Sequence, residues 1–336
     1  MSIIISLIAV VVLFVAGMAG GAGARQVFGV YVPYAAFAIF LVGIAARVIG
    51  WAKIPVPFRI PTSCGQQKSL PWIKHSTFDN PFTPMQAFVR MVLEVTLFRS
   101  LLKNTKSQLV NGKPVYATDI WLWLGAMAFH WSFLIIVLRH IRLFVQDTPF
   151  FVTAIERTDG FLQVGVPVFY MTSFLLLLGI GYLLARRLLI PQVRYISLLN
   201  DYFPLFLLLA IGGSGFFLRY IFKTDIVAIK ELAVGLATFT PVTPDPGINA
   251  LFFGHLFLVC VLLACFPFSK LVHMAGVFLS PTRNLANNNR AVRHINPWNY
   301  PVKTHPYHEY EEEFGDLMRS VGIPTEHNPA EHAEKE

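Results

Sequence analysis

Six apolar runs separated by polar stretches set the pattern of the chain: residues 3–23, 30–51, 119–144, 161–184, 199–222 and 250–278. Each is long enough to cross the roughly 30 Å hydrocarbon layer as a helix. None alternates apolar and polar positions as a membrane β-barrel requires. The pattern therefore predicts an all-α integral membrane protein with about six transmembrane helices. The first run ends in the small-residue stretch GMAGGAGA and has no basic region before it, so it reads as a span rather than a cleaved leader.

Four regions follow from the spacing of these runs. Residues 1–51 hold two N-terminal spans, and residues 52–118 form a basic connection. Residues 119–278 hold the remaining four spans, and residues 279–336 form a polar tail. The first half of the connection is rich in Pro, Gly and Ser. In its second half, residues 85–104, Phe88, Val92, Val95 and Leu102 recur near helical spacing, with Arg90, Glu94 and Arg99 between them. That predicts an amphipathic helix lying in the membrane interface or, equally, packed on a partner subunit. His75, in the polar half, reads as a surface histidine.

Composition changes the picture in two places. Charged residues make up only 14%, against about a quarter in soluble domains. The net charge of +8 calls for no nucleic acid, because membrane proteins gather Lys and Arg on one face. Of the 27 basic residues, 20 fall on the side of the connection, the loop carrying Arg186, Arg187 and Arg194, and the tail. That side should be cytoplasmic, with both termini inside the cell membrane and spans three and six antiparallel. The three cysteines, Cys64, Cys260 and Cys265, form no CxxC and no CxxCH. This argues against an iron–sulfur cluster, structural zinc or covalent c-type haem in this chain; Cys260 and Cys265 fit helix packing.

The chemistry lies in the histidines. Span three carries His130 and His140, span six carries His255 and His273, and no other span carries any. Ionisable groups at membrane depth are functional by default. On a helix His130 and His140 are separated by about 15 Å of rise and about 80°. His255 and His273, on one continuous helix, would lie about 27 Å apart and almost in phase. In antiparallel helices His140 then faces His255 on the outer side and His130 faces His273 on the inner side. The two rises differ by about 12 Å, which tilted helices or slanted ligand axes must absorb. Imidazole is a standard axial ligand of haem iron, and helix bundles build cofactor sites from facing side chains. The expectation is two stacked haems b, ligated by His130, His140, His255 and His273. The plain alternative for any one histidine is a helix–helix hydrogen bond. Arg139, Arg142, Arg219 and Lys270 are candidate partners of haem propionates, or else snorkel to the interface.

These two histidine spacings, ten and eighteen, resemble those of the dihaem cytochrome b subunits of the nitrate reductase gamma (NarI-like) family, over spans two to six. The connection segment PTSCGQQKSLPWIKHSTFDNPFTP and the tail segment NPWNYPVKTHPYHEYEEEFGDLMRS are similar to a narrower group. That group is the cytochrome b subunits of sulfite-reduction-associated complexes (DsrM, also called HmeC). The resemblance implies a dihaem four-helix core with two extra N-terminal helices and a cytoplasmic tail. It implies electron transfer between menaquinone and a DsrK-like iron–sulfur partner related to heterodisulfide reductase. It also implies a periplasmic multihaem cytochrome c, a ferredoxin-like subunit and a second membrane subunit. Another respiratory complex, nitrate or heterodisulfide reductase, is the alternative setting.

The quinone is expected at the outer haem, since the inner haem faces the side where a soluble partner can dock. Glu156, Arg157 and Asp159 in the third-to-fourth loop, with Lys223 after span five, form the polar cluster nearest that end, although any one of them also reads as a solvated loop charge. In the tail, Trp298, Tyr300, Tyr307 and Tyr310 beside the acidic run Glu311 to Glu313 fit an arm that clasps the cytoplasmic partner. The chain has no nucleotide motif, catalytic triad or zinc signature. A transporter, for which the IGGSGFF break in span five would speak, and a purely structural anchor are the rival classes. A reduced-minus-oxidised optical spectrum separates the three: two b-type haem signals are expected, and a featureless spectrum would remove the leading reading.

Overall fold

The computed structural model describes residues 1–54, 68, 72–103, 105–163, 167–280, 283–288, 291–292 and 304–326. Helix α1 spans Ser2–Gly23, and a π-helical turn, Val27–Tyr31, leads into α2, Val32–Ala52. The connection contributes α3, Pro84–Leu97, α4, Arg99–Leu102, and a hairpin of β1, Thr105–Val110, and β2, Lys113–Thr118. Then come α5, Ile120–Phe144, and α6, Phe150–Asp159, followed by the short pair β3, Gly160–Leu162, and β4, Phe169–Tyr170. The chain continues through α7, Met171–Leu189, α8, Pro191–Ile196, α9, Leu199–Tyr220, and α10, Ile226–Ala237. Last are α11, Ala250–Cys265, two 3-10 turns at Phe266–Phe268 and Lys270–Val272, α12, His273–Leu279, and α13, Tyr307–Ser320. Among the described residues, six helical segments are long and apolar enough to cross a membrane: α1, the π turn with α2, α5, α7, α9, and α11 with its first 3-10 turn.

The bundle is built in sequence: α5 packs on α7, α7 on α9, and α9 on α11. Helix α1 lies against both α9 and α11, and α2 covers α11. Val10, Leu176, Ile180, Leu207 and Leu258 form the shared core. Between lipid-embedded helices the hydrophobic effect gives little drive, so close approach through small residues supplies much of the packing. A Cβ on Gly17 of α1 would stand 3.0 Å from the Gly254 Cα of α11, and one on Gly179 of α7 would stand 2.9 Å from the Phe129 nitrogen of α5. The two histidine-bearing helices α5 and α11 have no extensive packing of their own.

Three elements differ from the pattern of apolar runs. The fourth span begins at Met171 rather than near Phe161. Gly160 and Leu162 instead pair with Tyr170 and Phe169 as β3 and β4, with Phe161 at a shift in register, and Pro167 between the strands lacks the N–H that a helix continuing backwards would need. The sixth span is not one helix. Pro267 and the extended Ser269 (φ −110°, ψ 176°) break it, and α12 starts afresh at His273. Helix α2 seats this break: Arg47 Nε donates to the Pro267 carbonyl at 3.2 Å, and Gly43 leaves room for the Pro267 ring. The third difference is the β1–β2 hairpin within the connection. Its turn holds Asn111 and Gly112 at positive φ, 52° and 74°, the conformation a two-residue hairpin turn demands and Asn-Gly supplies.

On the connection side, α3 opens with a full capping box between Thr83 and Gln86. Asp79 binds Arg99 and, at 2.5 Å, Lys103. Burial opposes its ionisation, but hydrogen bonds from Arg99, Lys103 and Ser76 outweigh that and hold its carboxyl well below the usual carboxylate range. This contribution is complete above the ordinary value of about 4 and is lost only as pH falls through the depressed folded value. The start of the tail is tied here as well. The Asn287 amide donates to the Pro81 carbonyl at 2.6 Å, its side chain bonds Asn80, and Arg283 pairs with Glu94 at 3.3 Å. His75, half-buried, bonds the Asn80 carbonyl at 2.8 Å. Cys64, Trp298 and Tyr300 lie outside the described residues.

The close α5–α7 approach yields a prediction. Gly179→Leu has no space to enter and should destabilise the bundle by about 1–3 kcal/mol, whereas Gly181→Leu, with nothing near it, should be neutral. Thermal unfolding of the detergent-solubilised protein checks the contrast.

Candidate functional site

Each of the four histidines is held by its Nδ1 atom. His130 Nδ1 lies 2.8 Å from the Ala126 carbonyl and His140 Nδ1 lies 2.7 Å from the Ile136 carbonyl, both one turn back on α5. His273 Nδ1 lies 2.8 Å from the Lys270 carbonyl, in the 3-10 turn that precedes α12. A carbonyl only accepts, so Nδ1 must carry the proton. His255 reaches the same state by another route. Its Nδ1 is 2.9 Å from Ser214 Oγ on α9. Ser214 Oγ lies 2.7 Å from the Ala210 carbonyl and 3.1 Å from the Ile211 carbonyl; with its one proton on a carbonyl, Oγ accepts from His255 Nδ1 in the tautomer that leaves Nε2 bare. Gly215 alongside leaves the ring its place: a Cβ there would meet His255 Cε1 at 3.2 Å. All four imidazoles thus present an unprotonated Nε2, and among the described residues none of these atoms has a protein hydrogen-bond partner. A neutral imidazole anchored at Nδ1 is the form that binds metal.

The structure brings the histidines together in pairs. The His130 and His273 ring centres are 6.1 Å apart with the planes at 83°. A metal ion about 2 Å from each of two imidazole nitrogens sets the ring centres about 6 Å apart. At the other end, His255 and His140 are close enough to interact electrostatically. No group of three or more His, Cys, Asp or Glu converges on a metal position among the described residues. Paired imidazoles, with no further protein donor, suit an iron whose remaining positions a macrocycle fills. The donor set therefore fits haem.

The inner pair has a wall that the histidine spacing does not reveal. Phe98, in the left-handed conformation at φ 47°, ends α3 and sets its ring 4.8 Å from His130, with Phe129 4.7 Å away on another side. Two tryptophans of α5 bolt this helix end in place. Trp123 Nε1 donates to the Leu97 carbonyl at 2.7 Å and Trp131 Nε1 to the Thr96 carbonyl at 3.0 Å. A Trp pair on a span beside a helix that ends in Phe was the available signal.

At the outer pair the charges are organised differently from loop charges. Asp159 is buried. It accepts from the Thr172 amide at 3.0 Å and the Thr172 hydroxyl at 2.6 Å, and it pairs with Arg139 at 3.3 Å. Arg139 and Arg219 both stack on Tyr170, their guanidinium carbons 3.8 and 4.3 Å from the ring centre. Arg219 donates to the Val168 carbonyl at 3.3 Å and has no carboxylate partner among the described residues. Arg142 pairs with Glu156 at 2.7 Å. Arg157 and Lys223 are exposed, with no ion pair among the described residues. Lys270, three residues before His273, is engaged by Asp201 at 2.7 Å. Tyr170 and Thr172 are the members of this network that sequence reasoning missed, because only the β3–β4 fold-back carries them over Asp159.

This pairing of imidazoles across a helical membrane bundle defines a cytochrome b type of scaffold, and the comparisons agree in kind. Residues 103–294 match the nitrate reductase gamma subunit family, and the chain belongs to that family. Over 264 residues it is 44% identical to the Hdr-like menaquinol oxidoreductase cytochrome b-like subunit of Archaeoglobus fulgidus, covering 77% of this chain and 79% of that protein. The protein of the same name from Archaeoglobus profundus is 42% identical, over 77% of this chain and 78% of its own length. The family match takes in all four histidines and leaves out α1 to α4 and α13.

The two outer ion pairs should differ sharply in worth. Asp159→Ala leaves Arg139 buried and unpaired and should cost about 3–5 kcal/mol. Glu156→Ala opens a more exposed pair and should cost less than about 1 kcal/mol. Thermal unfolding of the two variants, side by side, measures the difference.

Proposed function

We propose that this chain is a membrane cytochrome b subunit that passes electrons between a menaquinone-type quinone and a soluble iron–sulfur partner through two bis-histidine b haems. The observation that carries the reading is the common state of four histidines: Nδ1 tied, Nε2 free, gathered in two pairs at two levels of α5, near its middle and near its C-terminal end. The haems, when bound, supply one-electron chemistry; the protein supplies ligation, orientation and charge. His130 and His273 would hold the inner group, His140 and His255 the outer one. Arg219, lacking a carboxylate, is the foremost candidate for a propionate, with Arg139, Arg142 and Lys270 nearby but already paired.

The names of the two archaeal relatives support menaquinol as the substrate class and a multisubunit oxidoreductase as the setting. On this reading the partner is a DsrK-like iron–sulfur protein of sulfur metabolism. A periplasmic multihaem cytochrome c, a ferredoxin-like subunit and a second membrane subunit complete the complex. The excess of Lys and Arg supports both termini in the cytoplasm, on the side of α3 and the His130–His273 pair. The quinone then reacts at the other end, near His140 and His255. There Arg157 and Lys223 offer accessible cations at the water boundary. Asp159 and Glu156 act from one layer behind, by holding Arg139 and Arg142.

Three measurements test this. Extracted haem should reach two per chain, and one per fully loaded chain would overturn the count. His140→Ala or His255→Ala should remove one haem signal, and His130→Ala or His273→Ala the other. Loss of the same signal in His130→Ala and His255→Ala would refute the pairing. For the quinone, a quinol-site inhibitor should shift the signal that His140→Ala removes, and a shift confined to the other signal would place the quinone on the inner side.

A further inference from the structure

Helix α13 carries an apolar stripe that the membrane does not explain. Tyr307, Tyr310, Phe314, Leu317 and Val321 follow at steps of three and four, so they share one face of the helix and its first following residue. All five are exposed; Leu317 and Val321 each retain 66% of their surface. Fourteen helical residues make the stripe about 20 Å long. The flank beside it, with Glu311 and Gly315, is buried. The opposite face carries Glu309, Glu312, Glu313 and Asp316. Among the described elements no helix of the bundle packs extensively on α13.

The charge on the helix selects the occupant. A helix that lies on a bilayer uses basic residues on its polar face, drawn to anionic lipid. Here Arg319 is the only Lys or Arg within α13, against five acidic residues, so an anionic lipid surface repels it. A second copy of α13 would bring the same carboxylates against these. A protein groove with an apolar floor and a Lys- and Arg-rich rim satisfies both faces at once, the geometry of helix-in-groove recognition. The helix also lies beyond the residue at which the family match ends, 294.

We infer that α13 is the docking element for the soluble electron-transfer partner, its apolar stripe seated in a basic-rimmed groove of that protein. The inference rests on the reading that this chain delivers electrons to such a partner. It refines the expected tail arm to one helix face.

The test uses the full chain in the complex purified from its native membranes, with a photo-reactive amino acid in place of Leu317. The expected product is a cross-link to an iron–sulfur subunit, at a site flanked by Lys and Arg. A cross-link to lipid, to a second copy or to this chain's own bundle overturns the inference. In parallel, the double variant Phe314→Asp, Leu317→Asp should lower the co-purified iron–sulfur subunit at least tenfold while the b-haem spectrum stays unchanged. Full retention of that subunit counts against α13. Absence of any b-haem signal in the unaltered protein would instead sink the electron-transfer reading, so the two failures are told apart.

Discussion

Everything at the centre of this molecule depends on one hydrogen bond made four times, from an imidazole Nδ1–H to an oxygen of its own scaffold. It costs the fold little, since on α5 the acceptors are carbonyls one turn back. It does two things at once. It fixes the tautomer, and it fixes the orientation of the ring that carries Nε2. His255 shows how strongly the arrangement constrains its surroundings. Its acceptor is a serine on a neighbouring helix whose own proton is committed elsewhere, and the next residue must be small enough to let the ring in. Two helices, α9 and α11, therefore agree on the orientation of one side chain.

The electrostatics of the two ends diverge. The inner pair is walled by Phe98 and Phe129, and near it in sequence Lys270 shares the Asp201 carboxylate with Arg187, at 2.7 and 3.6 Å. The outer pair has two guanidinium groups stacked on one tyrosine and a single buried carboxylate to balance them. One positive charge is thus left without a carboxylate beside the outer imidazoles.

Much of this was legible in the residues because the membrane simplifies the reading. Six apolar runs and four histidines within them stand out against a lipid-facing background, and helix periodicity converts their spacing into depth. The break at Pro267 was not legible from hydropathy, since FPF keeps the run apolar; the proline and the serine two residues later were the only marks. That break resolves the unequal rise between the two histidine pairs, because His273 belongs to a redirected helix rather than to a continuous one. Asp159 read as a loop charge because its partners, Thr172 and Arg139, reach it only through tertiary folding. The Asn111–Gly112 turn carried a local signal that a polar composition concealed.

The same break has a consequence for what counts as the working unit. His273 heads a helix only seven residues long, too short to hold a direction by itself. What steadies it is α2, through Arg47 on the freed Pro267 carbonyl, Gly43 against the Pro267 ring and Trp51 beside Gly276. Helix α2 lies outside the stretch shared with the family. The N-terminal pair of helices is therefore no appendage: one of the four imidazoles is aimed from outside the common domain. A graft of residues 103–294 onto another protein would transplant three firmly held histidines and one without its brace.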